Sequence, residues 1–179
     1  MATTIGDLYL EDARRQFHGQ KKLAERAMAQ VNDGQFFSVL DPEDNSIALV
    51  VKHIAGNLRS RWTDFLTSDG EKPDRYRDTE FEKEGRDSRQ SLMERWEAGW
   101  RVLFENVDPL VAADLDRTVT IRGEPHTVVK AINRQLTHYA YHVGQIVFLA
   151  KHFAGARWES LSIPRGKSEE FNASKSGKA

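Results

Sequence analysis

The chain contains no cysteine, and that absence excludes a disulfide framework, a thiolate-liganded zinc or iron–sulfur site and a cysteine nucleophile. Any thiol chemistry must use an external thiol. Long hydrophobic runs are missing too: apolar stretches last only a few residues, far below the roughly 20 that span a bilayer. The opening Met-Ala-Thr-Thr-Ile-Gly-Asp carries no basic leader, so the expectation is a cytoplasmic protein with no membrane partner. Neither sign of charge dominates. Lys plus Arg numbers 26 against 27 for Asp plus Glu, a formal net charge of −1, which argues against a nucleic-acid partner.

Several catalytic signatures are also absent. There is no His-Glu-x-x-His and no Gly-x-Ser-x-Gly elbow, so a metallopeptidase of that type lacks its general base and a serine hydrolase its nucleophile. Gly166-Lys167-Ser168 resembles the end of a phosphate loop, but Leu161 stands where the first glycine is required and no strand precedes it. No internal repeat is visible.

What is present suits one soluble domain: 179 residues, 39% hydrophobic and 30% charged. Apolar residues at three- and four-residue steps predict four long helices, over residues 4–31, 46–66, 87–106 and 125–154. Thr4 with Asp7, and Ser46, are the expected N-caps, and Gly70 and Gly155 the expected stops. Residues 71–78 are too polar for a core element and read as a surface connection. Pro109 is placed to open one or two helical turns. Residues 118–123 alternate like a strand but lack an obvious partner, and read as merely extended. The fold class expected is all-α, a helical bundle of residues 1–163 followed by a polar tail, 164–179, expected to be mobile unless a second subunit orders it.

Six histidines carry the functional argument. His138 and His142 lie four apart in the last long helix, about 40° apart in azimuth and one turn apart in height, so both imidazoles can reach one ion. Metal sites need at least three protein ligands. His53, beside the apolar Val50, Ile54 and Leu58, is the best third candidate, whereas His18, followed by Gly19, Gln20 and Lys21, is the more exposed rival. His126, at the expected start of the last helix, and His152, ten residues beyond His142, cannot close the same site. The competing reading is three core histidines, each hydrogen-bonded to neighbours; desolvating three imidazoles without partners costs about 1–3 kcal/mol each, and one cation satisfies three nitrogens at once.

The segments Asn45-Ser46-Ile47-Ala48, His53 through Trp62 (His-Ile-Ala-Gly-Asn-Leu-Arg-Ser-Arg-Trp), Asp69-Gly70-Glu71-Lys72 and Arg134 through Ile146 (Arg-Gln-Leu-Thr-His-Tyr-Ala-Tyr-His-Val-Gly-Gln-Ile) resemble the DinB-like (YfiT-like) metalloprotein superfamily, in particular an uncharacterised subgroup of it. The resemblance covers nearly the whole chain. It implies a four-helix bundle of the DinB-like type, often dimeric, holding a divalent ion with one histidine of the second helix and an H-x-x-x-H pair of the fourth. Position by position, those ligands fall on His53, His138 and His142. The wider superfamily includes enzymes that use a low-molecular-weight thiol, such as bacillithiol, mycothiol or glutathione, beside many members with no assigned activity.

Three neutral imidazoles leave a bound ion its full charge and an open position. The expected function is therefore a divalent-metal-dependent enzyme, a thiol S-transferase or a hydrolase, with zinc or nickel as the ion and a small molecule as substrate. The alternatives are a non-catalytic metal-binding, stress-response or structural dimer, and a metal-free helical interaction module. Asn57, Gln135 and Gln145 stand at helical spacing from the ligands and could orient them or contact substrate. Arg61 and Arg134 could attract an anion, although solvated salt bridges are the simpler expectation. Tyr139 reads as core and Tyr141 as a surface residue, with a homodimer expected. The four tryptophans, at 62, 96, 100 and 158, read as core fillers.

Overall fold

The computed structural model describes residues 2–82, 85 and 87–176. The fold is mostly helical, with one small sheet. Four long helices, α1 (Ile5–Met28), α3 (Ile47–Trp62), α4 (Arg89–Val107) and α5 (Val128–Ala154), are joined by a short α2 (Asp33–Phe37) and a hairpin of β1 (Thr118–Ile121) and β2 (Glu124–Thr127); α6 (Ser168–Ser176) follows. No described helix is long and apolar enough to cross a membrane.

Polar side chains set the starts. Thr4 accepts from the Asp7 backbone N–H while Asp7 bonds back to Thr4, a full capping box that Ser88 repeats with Ser91 at α4, and Ser46 and Thr127 cap α3 and α5 by accepting from the Leu49 and Lys130 N–H groups. The interior stripes then meet: α3 packs chiefly on α4 and α1 on α5, while α3 and α5 touch across the centre. Trp62, Trp96, Trp100, Tyr139 and Phe17 are fully buried there. Tyr139 accepts from the Trp62 indole N–H at 3.1 Å and donates to Asn57 Oδ1 at 3.0 Å, so its hydroxyl is satisfied inside the core. The pairs His53 with His142 and Trp62 with Tyr139 show α3 and α5 running antiparallel.

Four expectations are corrected. The second long helix ends at Trp62 rather than 66, because Thr63 turns extended and its hydroxyl donates to the Arg59 carbonyl at 2.7 Å; Phe65 is buried from a turn instead. The extended run at 118–121 does have a partner, the very next segment. Arg122 and Gly123 both take positive φ, 55° and 75°, the backbone of a tight two-residue hairpin turn, and Thr120 faces Pro125 in the register. The last long helix consequently starts at Val128, not Pro125. After Pro109 the helical turn is displaced to Ala112–Asp114.

In the tail, α6 forms, with Glu169 and Glu170 in its first turn and Lys175 in its last, charges that complement the helix dipole. Its residues 168–175 are all exposed. Residues 177–179 of the expected mobile tail lie outside the described residues. Ahead of it, Gln30, in the turn after α1, accepts from the Glu159 N–H and donates to the Glu159 carbonyl, fastening the chain after α5 to the end of α1.

Candidate metal centre

His53, His138 and His142 come together. His53 is 3% exposed on α3, among the buried Val50, Val51 and Ile54, and α5 presents the other two one turn apart. The Nε2 atom of His138 lies 3.2 Å from that of His53 and 3.1 Å from that of His142. One nitrogen from each ring falls within 4.8 Å of the others, so the three could hold a metal ion. With metal–nitrogen bonds of about 2.0–2.1 Å, tetrahedral ligand nitrogens sit about 3.3–3.4 Å apart; the two distances from His138 are slightly shorter than that, and the third pair, His53 with His142, lies within 4.8 Å. The rings meet edge to face, at 65° to 89°, instead of stacking.

The far nitrogens determine what the near ones can do. His53 Nδ1 is 2.8 Å from Glu80 Oε2 and His142 Nδ1 is 2.7 Å from Gln145 Oε1, both acceptors, so each ring carries its proton on Nδ1 and turns a lone pair inward at Nε2. Two inward lone pairs already face His138, whose single proton can satisfy one of them. A cation satisfies all three. His138 Nδ1 is buried with no hydrogen-bond partner among the described residues.

Burial pushes His138 down to about 3, helped by the His142 and His53 imidazoles and by Arg75 and Arg61. His142 is lowered for the same first reason, burial, against the opposing bond to Gln145. Both are therefore neutral near pH 7, the form that binds metal.

Glu80 is the acceptor that the sequence reading did not identify. Burial works to raise its carboxyl, but the hydrogen bonds from His53 and Arg75 and the Arg75 charge outweigh it and hold the group below the ordinary glutamate value. Arg75 grips both carboxylate oxygens, Nε to Oε1 at 2.8 Å and Nη2 to Oε2 at 2.9 Å, with both side chains buried. The polar stretch 71–78 is thus no simple surface connection: it carries Arg75 inward and leads into the helical turn Arg77–Phe81 that delivers Glu80 to α3. Gly56 makes the approach possible, because any Cβ there would overlap the Glu80 carboxylate. A glycine in the middle of a largely buried helix was the available signal.

The connection is tied down at both ends. Ser60 Oγ donates to the Gly70 carbonyl and accepts from the Lys72 N–H, Gly70 N–H donates to the Thr120 carbonyl at 2.8 Å, and the Asp69 carboxylate accepts from the N–H groups of Arg122 and Gly123, 2.8 Å each. Further along, buried Lys52 bonds Asp87 and the Glu82 carbonyl.

The other histidines stay apart. His18 is exposed and stacks on Phe104 at 3.9 Å, as its polar context suggested, and His152 is exposed. His126 is buried, on β2 rather than at a helix start, and neither ring nitrogen has a hydrogen-bond partner among the described residues. Gln145 orients His142, and Asn57 holds Tyr139. Gln135 is buried on the wall of a cavity of about 680 Å³ that opens over the three imidazoles. Arg61 reverses its expectation: it is 3% exposed, not solvated, and among the described residues its only carboxylate within 4 Å is Glu71, at 3.8 Å.

The model of one protein family, described as "Protein of unknown function (DUF1572)", matches residues 4–167. The chain belongs to that family. The match covers the helices that supply all three imidazoles and the connection that supplies Glu80. No curated protein and no solved structure matches the chain.

Proposed function

We propose that this DUF1572 protein is a metal-dependent enzyme in a four-helix bundle of the DinB-like type, with His53, His138 and His142 as ligands of zinc or nickel. The observation that carries the reading is the convergence of three Nε2 atoms whose rings are oriented from behind, at the floor of an open cavity. A structural site would be closed by a fourth side chain; among the described residues no fourth histidine or carboxylate joins the three. When bound, a divalent ion supplies Lewis acidity at its open position, enough to ionise a water or a low-molecular-weight thiol near neutral pH.

The chain's own residues supply the rest. Glu80 and Gln145 keep His53 and His142 in the tautomer that binds metal, Arg75 keeps Glu80 ionised, and Phe81 packs on the His53 ring at 4.8 Å and shields it from water. With no cysteine in the chain, a thiol nucleophile would be a co-substrate, which makes thiol S-transfer one version and hydrolysis the other. Tyr141 and Phe148, both more than 60% exposed and seven residues apart on α5, support pairing as a homodimer.

The deciding experiment measures metal by mass spectrometry in protein purified without an affinity tag, then assays thiol consumption with electrophile panels and hydrolysis of ester and amide panels. About one ion per chain with turnover in either assay is expected. A metal-free protein overturns the reading, and full metallation with both panels silent supports a non-catalytic metal protein instead.

A further inference from the structure

The cavity over the histidines has two chemically different ends. On α3, His53, Asn57 and Arg61 follow at four-residue steps, and on α5 Arg134, His138 and His142 do the same, all six lining the cavity. Because the helices are antiparallel, the histidines gather at one end and Arg61 and Arg134 at the other. At 1.5 Å per residue, Arg134 stands about 6 Å along the axis from His138 and Arg61 about 12 Å from His53. The hairpin turn adds Arg122 to the same lining, and Arg75 and Arg77 complete five guanidiniums with no carboxylate among the lining residues.

The neighbouring anions leave that end short of negative charge. Glu80 is taken by Arg75 and His53, and the one described carboxylate that Arg77 reaches is exposed Asp78, at 3.7 Å. Asp69 is occupied by three backbone N–H groups. Glu71 is left to serve Arg122 at 3.3 Å, Arg75 at 3.4 Å and Arg61 at 3.8 Å. Among the described residues, exposed Arg134 is in no ion pair, and Arg61, desolvated, keeps two guanidinium nitrogens with no hydrogen-bond partner. Like charges facing one wall of a cavity repel unless a ligand brings the missing charge.

We propose that the cavity takes an elongated substrate or co-substrate bearing a compact oxyanion, a carboxylate or a phosphate, which Arg134 and Arg122 hold above the fixed charge of Arg61 while its other end reaches the histidines. This rests on the reading of the cavity as a substrate site, but the arginine end makes its own claim, independent of a metal. Of the three exposed members, Arg77 stands by His142, whereas Arg134 and Arg122 stand at the arginine end and can reorganise around a bound anion; Arg61, buried against the Gly70 turn, acts through its charge.

Calorimetric titration of the metal-free full chain with inorganic phosphate, and separately with glutarate, tests this, with metal affinity measured in parallel on each protein. Saturable binding of at least one probe is expected, weakened at least tenfold by Arg134→Ala and by Arg122→Ala and weakened by added salt, with metal affinity unchanged in both variants. The stronger probe identifies the oxyanion. Both variants alter exposed side chains, and circular dichroism confirms their folding. Failure of both probes on the wild-type chain, or binding to both variants as tight as to the wild type, overturns the proposal even if metal binds. Phosphate or glutarate binding in a chain that takes no metal removes the metal reading and leaves the arginine site standing.

Discussion

At the residue scale the centre depends on two kinds of side chain, those that face the shared point and those that aim them. His142→Ala removes an inward nitrogen, so metal affinity should fall by orders of magnitude, while His152→Ala, on exposed α5 surface, should leave it within error; competitive metal titration checks both. Glu80→Ala is subtler. It removes no nitrogen from the point of convergence, yet it frees the His53 ring to rotate and to carry its proton on either nitrogen. Metal affinity should fall about 10- to 100-fold, the usual size of such an orienting contact. The melting temperature should drop as well, because Arg75, 4% exposed, keeps among the described residues only Glu71 at 3.4 Å as a counterion. Unchanged affinity in that variant would mean the ring is held by packing against Phe81 alone.

At the element scale the helices were legible in the sequence and the connections were not. Capping residues and three- and four-residue apolar steps are local properties, so Thr4, Ser46 and the α5 stripe could be read directly. The same periodicity placed His53 beside the His138–His142 pair, because a residue next to Val50 and Ile54 on a buried stripe must face the interior. Glu80 and Arg75 were invisible to that method: their burial arises from a carboxylate meeting a guanidinium and an imidazole that are distant in the chain, and composition alone marks such residues as solvated. Arg61 was misread for the same reason. The hairpin was missed because its second strand contains Pro125, poor strand material that is tolerated in a two-stranded ribbon with free edges. Its turn needs positive φ at Gly123. Gly123→Val should therefore cost about 1–2 kcal/mol in denaturant unfolding, with Gly144→Val, on an exposed and spacious helical position, as the helix-propensity control.

At the scale of the whole molecule, the buried neutral imidazoles link stability to pH. His138 binds its proton at about 3 in the folded chain against about 6.5 when unfolded, so between those values the unfolded state holds more protons. The stability this contributes is complete above about pH 6.5 and is lost as pH falls through the window toward 3. Glu80, held below its ordinary value by His53 and Arg75 against the opposing effect of burial, adds a loss of the same sign at the acid end of that window. Urea midpoints of the metal-free protein should decline steadily from pH 7 to pH 4, and a flat profile would show the His138 and His142 rings to be solvated. Metal adds to the slope, since binding requires the deprotonated rings.

Position 56 sets a limit on how this protein can be stabilised. Replacing a mid-helix glycine with alanine is a routine engineering step that yields up to about 1 kcal/mol in helix propensity. Here the added methyl would occupy the seat of the carboxylate, so a thermostable variant obtained that way would be selected at the expense of the Glu80–His53 contact.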